Sequence, residues 1–216
     1  MSRSYDPSCR RCPRLAAFLD SVQIDHPGYF CRPVPAFGDP KARLVLVGLA
    51  PGMHGANRTG RPFTGDHAGI LLYATLHKFG LASAAVSIAA DDGLALLGAR
   101  ITNSVKCLPP ANKPSPAEIK TCNDYLESEL AQSPDARVIL ALGAIAHAAV
   151  LRACGLRGGE YRFAHAAEHA LAGGRVLLDS YHCSRYNTQT RRLTTSMFEA
   201  VVDRAVTLAR GHEGPQ

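Results

Sequence analysis

Two thiol pairs, Cys9-Arg10-Arg11-Cys12 near the N-terminus and Cys107 with Cys122 far along the chain, have the types and spacing to hold a metal. Two intervening residues let Cys9 and Cys12 turn to one side, and the fourteen residues between Cys107 and Cys122 form a Pro-rich loop that can fold back and close the same site. Four thiolates without clustered histidine suit zinc or a four-iron cluster alike, and spacing alone does not separate them. Cys31, Cys154 and Cys183 read as unliganded.

A second set of residues points to recognition of a planar ligand. The segment from Gly48 to Asp66, GLAPGMHGANRTGRPFTGD, is long and Gly-rich, so its backbone N–H groups can approach an anion or a base closely. It matches neither the Walker pattern nor GxGxxG, which disfavours nucleotide triphosphates. Phe63, between Pro62 and Thr64 on a constrained turn, is placed to stack on a flat ring or, equally, to fill the core at the start of the next helix. Thr102-Asn103 and Tyr181-His182 are the other polar segments that follow apolar runs. A lone histidine or asparagine is ordinarily a packing residue or a cap, so these gain meaning only if they converge.

The elements between them supply that convergence. Short β-branched or aliphatic runs at Ala42–Ala50, Ala99–Lys106, Ala136–Gly143 and Arg175–Tyr181 predict four buried strands. Helical spacing predicts helices over Pro13–Val22, over Ile70–Phe79 closed by Gly80, over Pro116–Leu130 with Ser115 as N-cap, after Gly143 through Leu151, and over Thr194–Arg210. Strands alternating with helices give an α/β three-layer sandwich, a doubly wound parallel sheet flanked by helices. In such a sheet the ligand crevice lies beyond the C-terminal strand ends, where the loops after Gly48, Asn103 and Tyr181 meet.

At 216 residues and 23.0 kDa the chain suits one domain, residues 1–216, with a core burying roughly 70% of the unfolded surface. Seven unevenly spaced cysteines, no apolar leader and no apolar run of about 20 residues predict a reduced, cytoplasmic, soluble protein rather than a disulfide scaffold or a membrane protein. The net charge is +6, with basic residues gathered in the N-terminal tail, at 57–61 and at 185–192. Loops of this kind can form a phosphate-facing surface, but charge alone does not distinguish a nucleic-acid partner from a merely soluble basic protein.

Taken together, these motifs resemble the uracil-DNA glycosylase superfamily, and within it family 5, the iron–sulfur type b branch. The resemblance lies in Gly48-Leu-Ala-Pro with His54 to Asp66, in Ile101–Pro110, in Ser180–Thr190, in the tail CRRCPRLAAFL and in Arg32–Pro40, so it spans nearly the whole chain. It implies a DNA repair enzyme that cleaves the N-glycosidic bond of uracil, and of other deaminated bases, leaving an abasic site. Phe63 would stack on the flipped base, with Gly48 and Ala50 lining the pocket. Asn103 would read the Watson–Crick edge and His182 would donate to uracil O2. Ala50 stands where the family 1 motif has Asp, so water must be oriented by another residue: Asn57 or Asp66, with His54 as an outsider. Asp66 is equally suited to capping a helix that starts at His67.

Arg58, Ser184, Arg185, Tyr186, Asn187 and Arg191 would meet DNA, the loop after His182 entering the minor groove. Cys183 replaces the proline common in the wider superfamily, which bears on the shape of that wedge. The resemblance also favours a structural 4Fe–4S cluster on Cys9, Cys12, Cys107 and Cys122 over zinc, and implies a monomer acting on the prokaryotic nucleoid. Two other classes fit less of the sequence. A zinc-stapled nucleic-acid-binding module has little need of Phe63, Asn103 and His182, and a small-nucleotide hydrolase lacks acidic pairs for Mg²⁺.

Overall fold

The computed structural model describes residues 4–211. Its centre is a six-stranded sheet in the order β1-β3-β2-β4-β6-β5. β2 (Leu44–Gly48), β3 (Ala99–Asn103), β4 (Val138–Leu142) and β6 (Val176–Ser180) run parallel, as the four apolar runs predict. Alternate residues of these strands face opposite layers. Leu44, Leu46, Leu140 and Leu178 pack on one side against α3 (His67–Lys78) and α7 (Thr195–Arg210), through Leu72, Tyr73, Phe198 and Val202. Val45, Val47, Ile139 and Leu177 pack on the other against α4 (Pro116–Ala131) and α5 (Ala144–Ala153), through Leu126, Ala146 and Val150. These two cores make the three layers.

The parallel centre is as expected, and the sheet as a whole is mixed. β1 (Phe37–Gly38) and β5 (Glu168–Ala170) close the two edges antiparallel. Neither carries an apolar run: β1 is two residues long, and β5 is exposed at Glu168 and Ala170, as an edge tolerates. A buried polar network holds β5, in which Asp179 of β6 accepts from His147 of α5 at 2.8 Å and from His169 at 3.2 Å.

Boundaries also move, most of all in β3, α3 and the first helix. β3 stops at Asn103, where the chain bends, although Ser104 and Val105 N–H still donate to the Gly48 and Leu49 carbonyls at 2.9 Å, and the Lys106 carbonyl then accepts from Val34 N–H at 2.7 Å. α3 begins at His67, three residues before Ile70, through small residues that give no periodic signal. α1 runs on from Val22 to Asp25, over Pro13–Asp25. The N-cap of α4 is as expected: Ser115 Oγ accepts from Glu118 N–H at 3.3 Å while the Glu118 carboxylate accepts from Ser115 N–H at 2.7 Å. Glu118 also pairs with Arg14 at 2.7 Å, and Arg11 with Asp124 at 2.7 Å, so α4 anchors both the tail and α1.

Candidate active site at the strand ends

Parallel register brings the site together. Gly48 pairs with Asn103, so β2 and β3 end side by side, and Leu142 pairs with Ser180, so His182 leaves the sheet at the same rim. A cavity of about 430 Å³ opens there, walled by Ala50, Phe63, Asp66, Asn103, His182 and Arg185 among others. Gly48 makes the close approach possible, because a Cβ there would overlap the Asn103 carboxamide oxygen and stand 2.6 Å from Phe63 Cζ. Phe63 has φ of 58°, a left-handed backbone that a bulky residue adopts only when its surroundings impose it. Its ring lies 5.9 Å from the His182 ring at 29°, so the two stand roughly parallel. The core and pocket readings of Phe63 are therefore one, as the ring is 6% exposed and also lines the cavity.

Each polar group here has a defined state. Burial pushes the His182 imidazolium pKa down to about 4, so the ring is neutral near pH 7. Asn187 Nδ2 donates to the His182 carbonyl at 2.8 Å and fixes the backbone that carries the ring. Asn103 is 3% exposed and its Oδ1 has no partner, an orphan acceptor at the wall of a cavity. Such an oxygen carries a desolvation penalty that a ligand N–H would relieve. Lys106, absent from the sequence-based set, holds this strand end from behind: its buried Nζ donates to the Asn103 carbonyl at 2.9 Å and pairs with Glu129 at 2.7 Å. A lysine between the apolar strand and Cys107, inside the Ile101–Pro110 motif, is the available signal.

Asp66 occupies the N-cap position of α3, yet its side chain makes no cap hydrogen bond. It turns instead to the Gly-rich loop, where Oδ2 accepts from Ala56 N–H at 3.2 Å, and a Cβ on Gly55 would overlap the carboxylate. Desolvation raises the Asp66 pKa above the ordinary carboxylate value, opposed by the loop N–H groups and by Arg58 and His54. Asn57, on α2 (Ala56–Thr59), is not brought to the cavity: it is fully buried, and its Nδ2 donates to Cys31 Sγ at 3.4 Å. His54 is exposed, 2.9 Å from Tyr29 Oη, and lies outside the cavity wall too.

The loop after His182 is the short helix α6 (Arg185–Gln189). Ser184 Oγ caps it, accepting from Asn187 N–H at 3.3 Å, so Ser184 and Asn187 build the loop as well as border it. Arg185, Tyr186 and Arg191 are exposed, as is Arg58, whose Nε donates to the His54 carbonyl at 2.6 Å. Cys183 is fully buried in the core beneath the cavity, and burial pushes its thiol pKa up to about 12, so it is a packing residue.

Cys9, Cys12, Cys107 and Cys122 all line one small cavity beside Leu15, Val105 and Tyr125. Burial and then the neighbouring thiols raise the Cys107 pKa, and burial pushes Cys122 up to about 11. Metal binding requires thiols to lose their protons, and a bound cation offsets the burial and mutual repulsion that oppose this at Cys107 and Cys122. No three of the four sulfurs fall within 4.8 Å of one another; among the described residues only His147, His169 and Asp179 form such a set. Four thiols facing one small cavity are a donor set that fits a metal centre.

A three-layer α/β domain with a neutral histidine, an unpartnered carboxamide and an aromatic ring around one cavity has the form of a nucleobase-recognising protein. A model of the uracil DNA glycosylase superfamily matches residues 35–205. A type-5 uracil-DNA glycosylase of Thermus thermophilus is 51% identical over 207 residues, covering 94% of both chains. One of Pyrobaculum aerophilum is 40% identical over 202 residues, covering 92% of this chain and 88% of its own. A type-4 uracil-DNA glycosylase of Archaeoglobus fulgidus is 39% identical over 140 residues, covering 64% and 56%. The chain belongs to the uracil-DNA glycosylase superfamily, in its type-5 branch.

Proposed function

We propose that this protein is a monofunctional uracil-DNA glycosylase of DNA base-excision repair, hydrolysing the bond between uracil N1 and C1′ and leaving an abasic site. The observation that carries the reading is the convergence of Phe63, Asn103 and His182 on one cavity. Within a duplex C1′ is inaccessible, so the uracil nucleotide must first leave the stack. Phe63 then lies against the base, and the Asn103 carboxamide pairs with its edge, Oδ1 accepting from N3–H and Nδ2 donating to O4. As the glycosidic bond breaks, its electron pair passes to the base and negative charge builds on O2. The neutral His182 ring stabilises that charge by donating a hydrogen bond, a preorganised contact that strengthens in the transition state.

Water adds to C1′ and loses a proton. Asp66 is better placed for this than Asn57, because it faces the cavity and its raised pKa favours taking up a proton. Its charge also opposes the developing oxocarbenium ion. Arg58, Ser184, Arg185, Tyr186, Asn187 and Arg191 form the DNA-facing rim, and the amide of Asn103, which offers both donor and acceptor, extends recognition to other deaminated bases. Cys9, Cys12, Cys107 and Cys122 hold a 4Fe–4S cluster that ties the tail to the segment before α4. The four-thiol donor set fits this cluster, and the family resemblance favours it over zinc. The protein acts in the cytoplasm as one catalytic domain and a monomer, since one chain supplies every group above. No helix among the described residues is long and apolar enough to cross a membrane.

Release of free uracil from a uracil-containing oligonucleotide, with an abasic product, is the expected result, and the purified protein is expected to be brown and to contain iron. Tight DNA binding without base release would instead make it a binding module.

A further inference from the structure

Beside the catalytic cavity runs a second one of about 420 Å³, and the two share Asp66, His67 and Arg185. Its other walls carry Ile70 from α3 and Val86 and Ile88 from the segment joining α3 to β3. These three aliphatic side chains are 68%, 66% and 65% exposed. Exposed β-branched residues clustered at one groove mark an interaction surface.

The segment is also held rigidly. Ser87, between Val86 and Ile88, is bound to the catalytic turn three times: its Oγ meets Thr64 Oγ1 at 2.7 Å and Arg61 Nη1 at 3.0 Å, and its carbonyl accepts from Gly65 N–H at 3.2 Å. Asp92 pairs with the buried Arg61 at 2.6 Å and accepts from Ile88 N–H at 2.9 Å. The same residues that set Phe63 and Asp66 therefore set the two apolar side chains.

We infer that Ile70, Val86 and Ile88 form a DNA subsite that takes the sugar and base face of a nucleotide flanking the extruded one. The inference rests on the glycosylase reading. Continuity identifies the occupant: a protein seated in this groove would cover Asp66 and Arg185 and block the substrate, whereas a strand delivering a base to the cavity must cross the shared rim. Arg185 stands where that strand's phosphate would pass, and aliphatic side chains against unstacked base steps are an established mode of grip on bent DNA. Because hydrogen bonds at Ser87 and Asp92 already fix the backbone that carries Val86 and Ile88, little backbone entropy is lost on contact.

The test compares two substrates, a duplex with several base pairs on each side of uracil and a trinucleotide with uracil at its centre. Val86→Ser with Ile88→Ser, both exposed, is expected to leave the melting temperature nearly unchanged. It should raise the half-saturating duplex concentration about tenfold and that of the trinucleotide less than about twofold. The chain has no tryptophan, so Val86→Trp introduces a sole indole whose emission should be quenched by an abasic duplex. Equal effects on both substrates, or unchanged duplex binding with unquenched emission, would overturn the subsite. So would unchanged DNA binding with an altered sedimentation of the double variant, which would assign the patch to protein association. Failure of the unsubstituted protein to release base from either substrate would sink the glycosylase reading instead, while the indole signal would still report on the contact.

Discussion

The catalytic cavity and the cysteine corner are joined by one short stretch, with Asn103 facing the first and Cys107 lining the second. At the cavity, polar groups are left unsatisfied or shifted: Asn103 Oδ1 has no partner, His182 is held neutral, Asp66 is raised, and Phe63 has a left-handed backbone. At the corner, apolar packing and ion pairs surround the thiols, and the groups left shifted or unpartnered there, Cys107, Cys122 and the Tyr125 hydroxyl, face a small closed cavity instead of an open one. The open cavity can relieve its unpartnered groups by taking a planar ligand, whereas the closed corner can do so only by holding a cation among its thiols. Lys106 sits between them, its Nζ on the Asn103 carbonyl and its backbone N–H on Cys122 Sγ at 3.3 Å.

The contrast breaks most sharply if substitutions at the cavity behave like substitutions at the corner. His182→Ala and Asn103→Ala should each slow single-turnover uracil release about 10²-fold or more, on the scale of losing a transition-state hydrogen bond, with little change in melting temperature. Lys106→Met leaves Glu129 without its buried partner and should cost about 3 kcal/mol in denaturant unfolding. It should also slow base release, because the Asn103 carbonyl loses its donor; loss of stability alone would separate the two regions.

Cys107→Ser should lower thermal stability and iron content before it affects uracil chemistry in the surviving folded fraction. A fully stable but inactive variant would show that the corner takes part in the reaction. The smallest effect expected is on pH dependence. Asp66, whose carboxylate is lost as pH falls through its raised pKa, contributes to the acid limb of kcat/KM beside His182, which stays neutral down to a folded pKa of about 4. Asp66→Asn should flatten that limb as well as lower the rate; an unchanged limb would reassign it. For stability the sign for His182 is also a loss with falling pH: between about 6.5 and 4 the unfolded chain takes up a proton that the folded chain refuses.

Much of the site was legible because its residues lie in continuous motifs at the ends of strands that are themselves apolar runs. Gly48, Phe63, Asn103 and His182 follow directly from that pattern, as do the cysteine pairs. Asn57 and Asp66 sit in the same loop and looked equivalent; only the turn of the backbone sends one side chain to Cys31 and the other to the cavity. The edge strands β1 and β5 and the groove of Val86 and Ile88 had no periodic signal, because short edges and exposed loops are not constrained to alternate.

What the sequence determined by itself was local: four buried strands, the helix caps, the thiol pairs and the identities of the cavity residues, all of which depend on neighbours within a few positions. Tertiary structure decided which of those residues share a space and in what ionisation state. Parallel register sets Gly48 beside Asn103, and burial shifts His182 and Asp66 in opposite directions on the charge scale, making both more often neutral. The physical reason is that desolvation and register are set by parts of the chain far apart in sequence, whereas propensity and spacing are not.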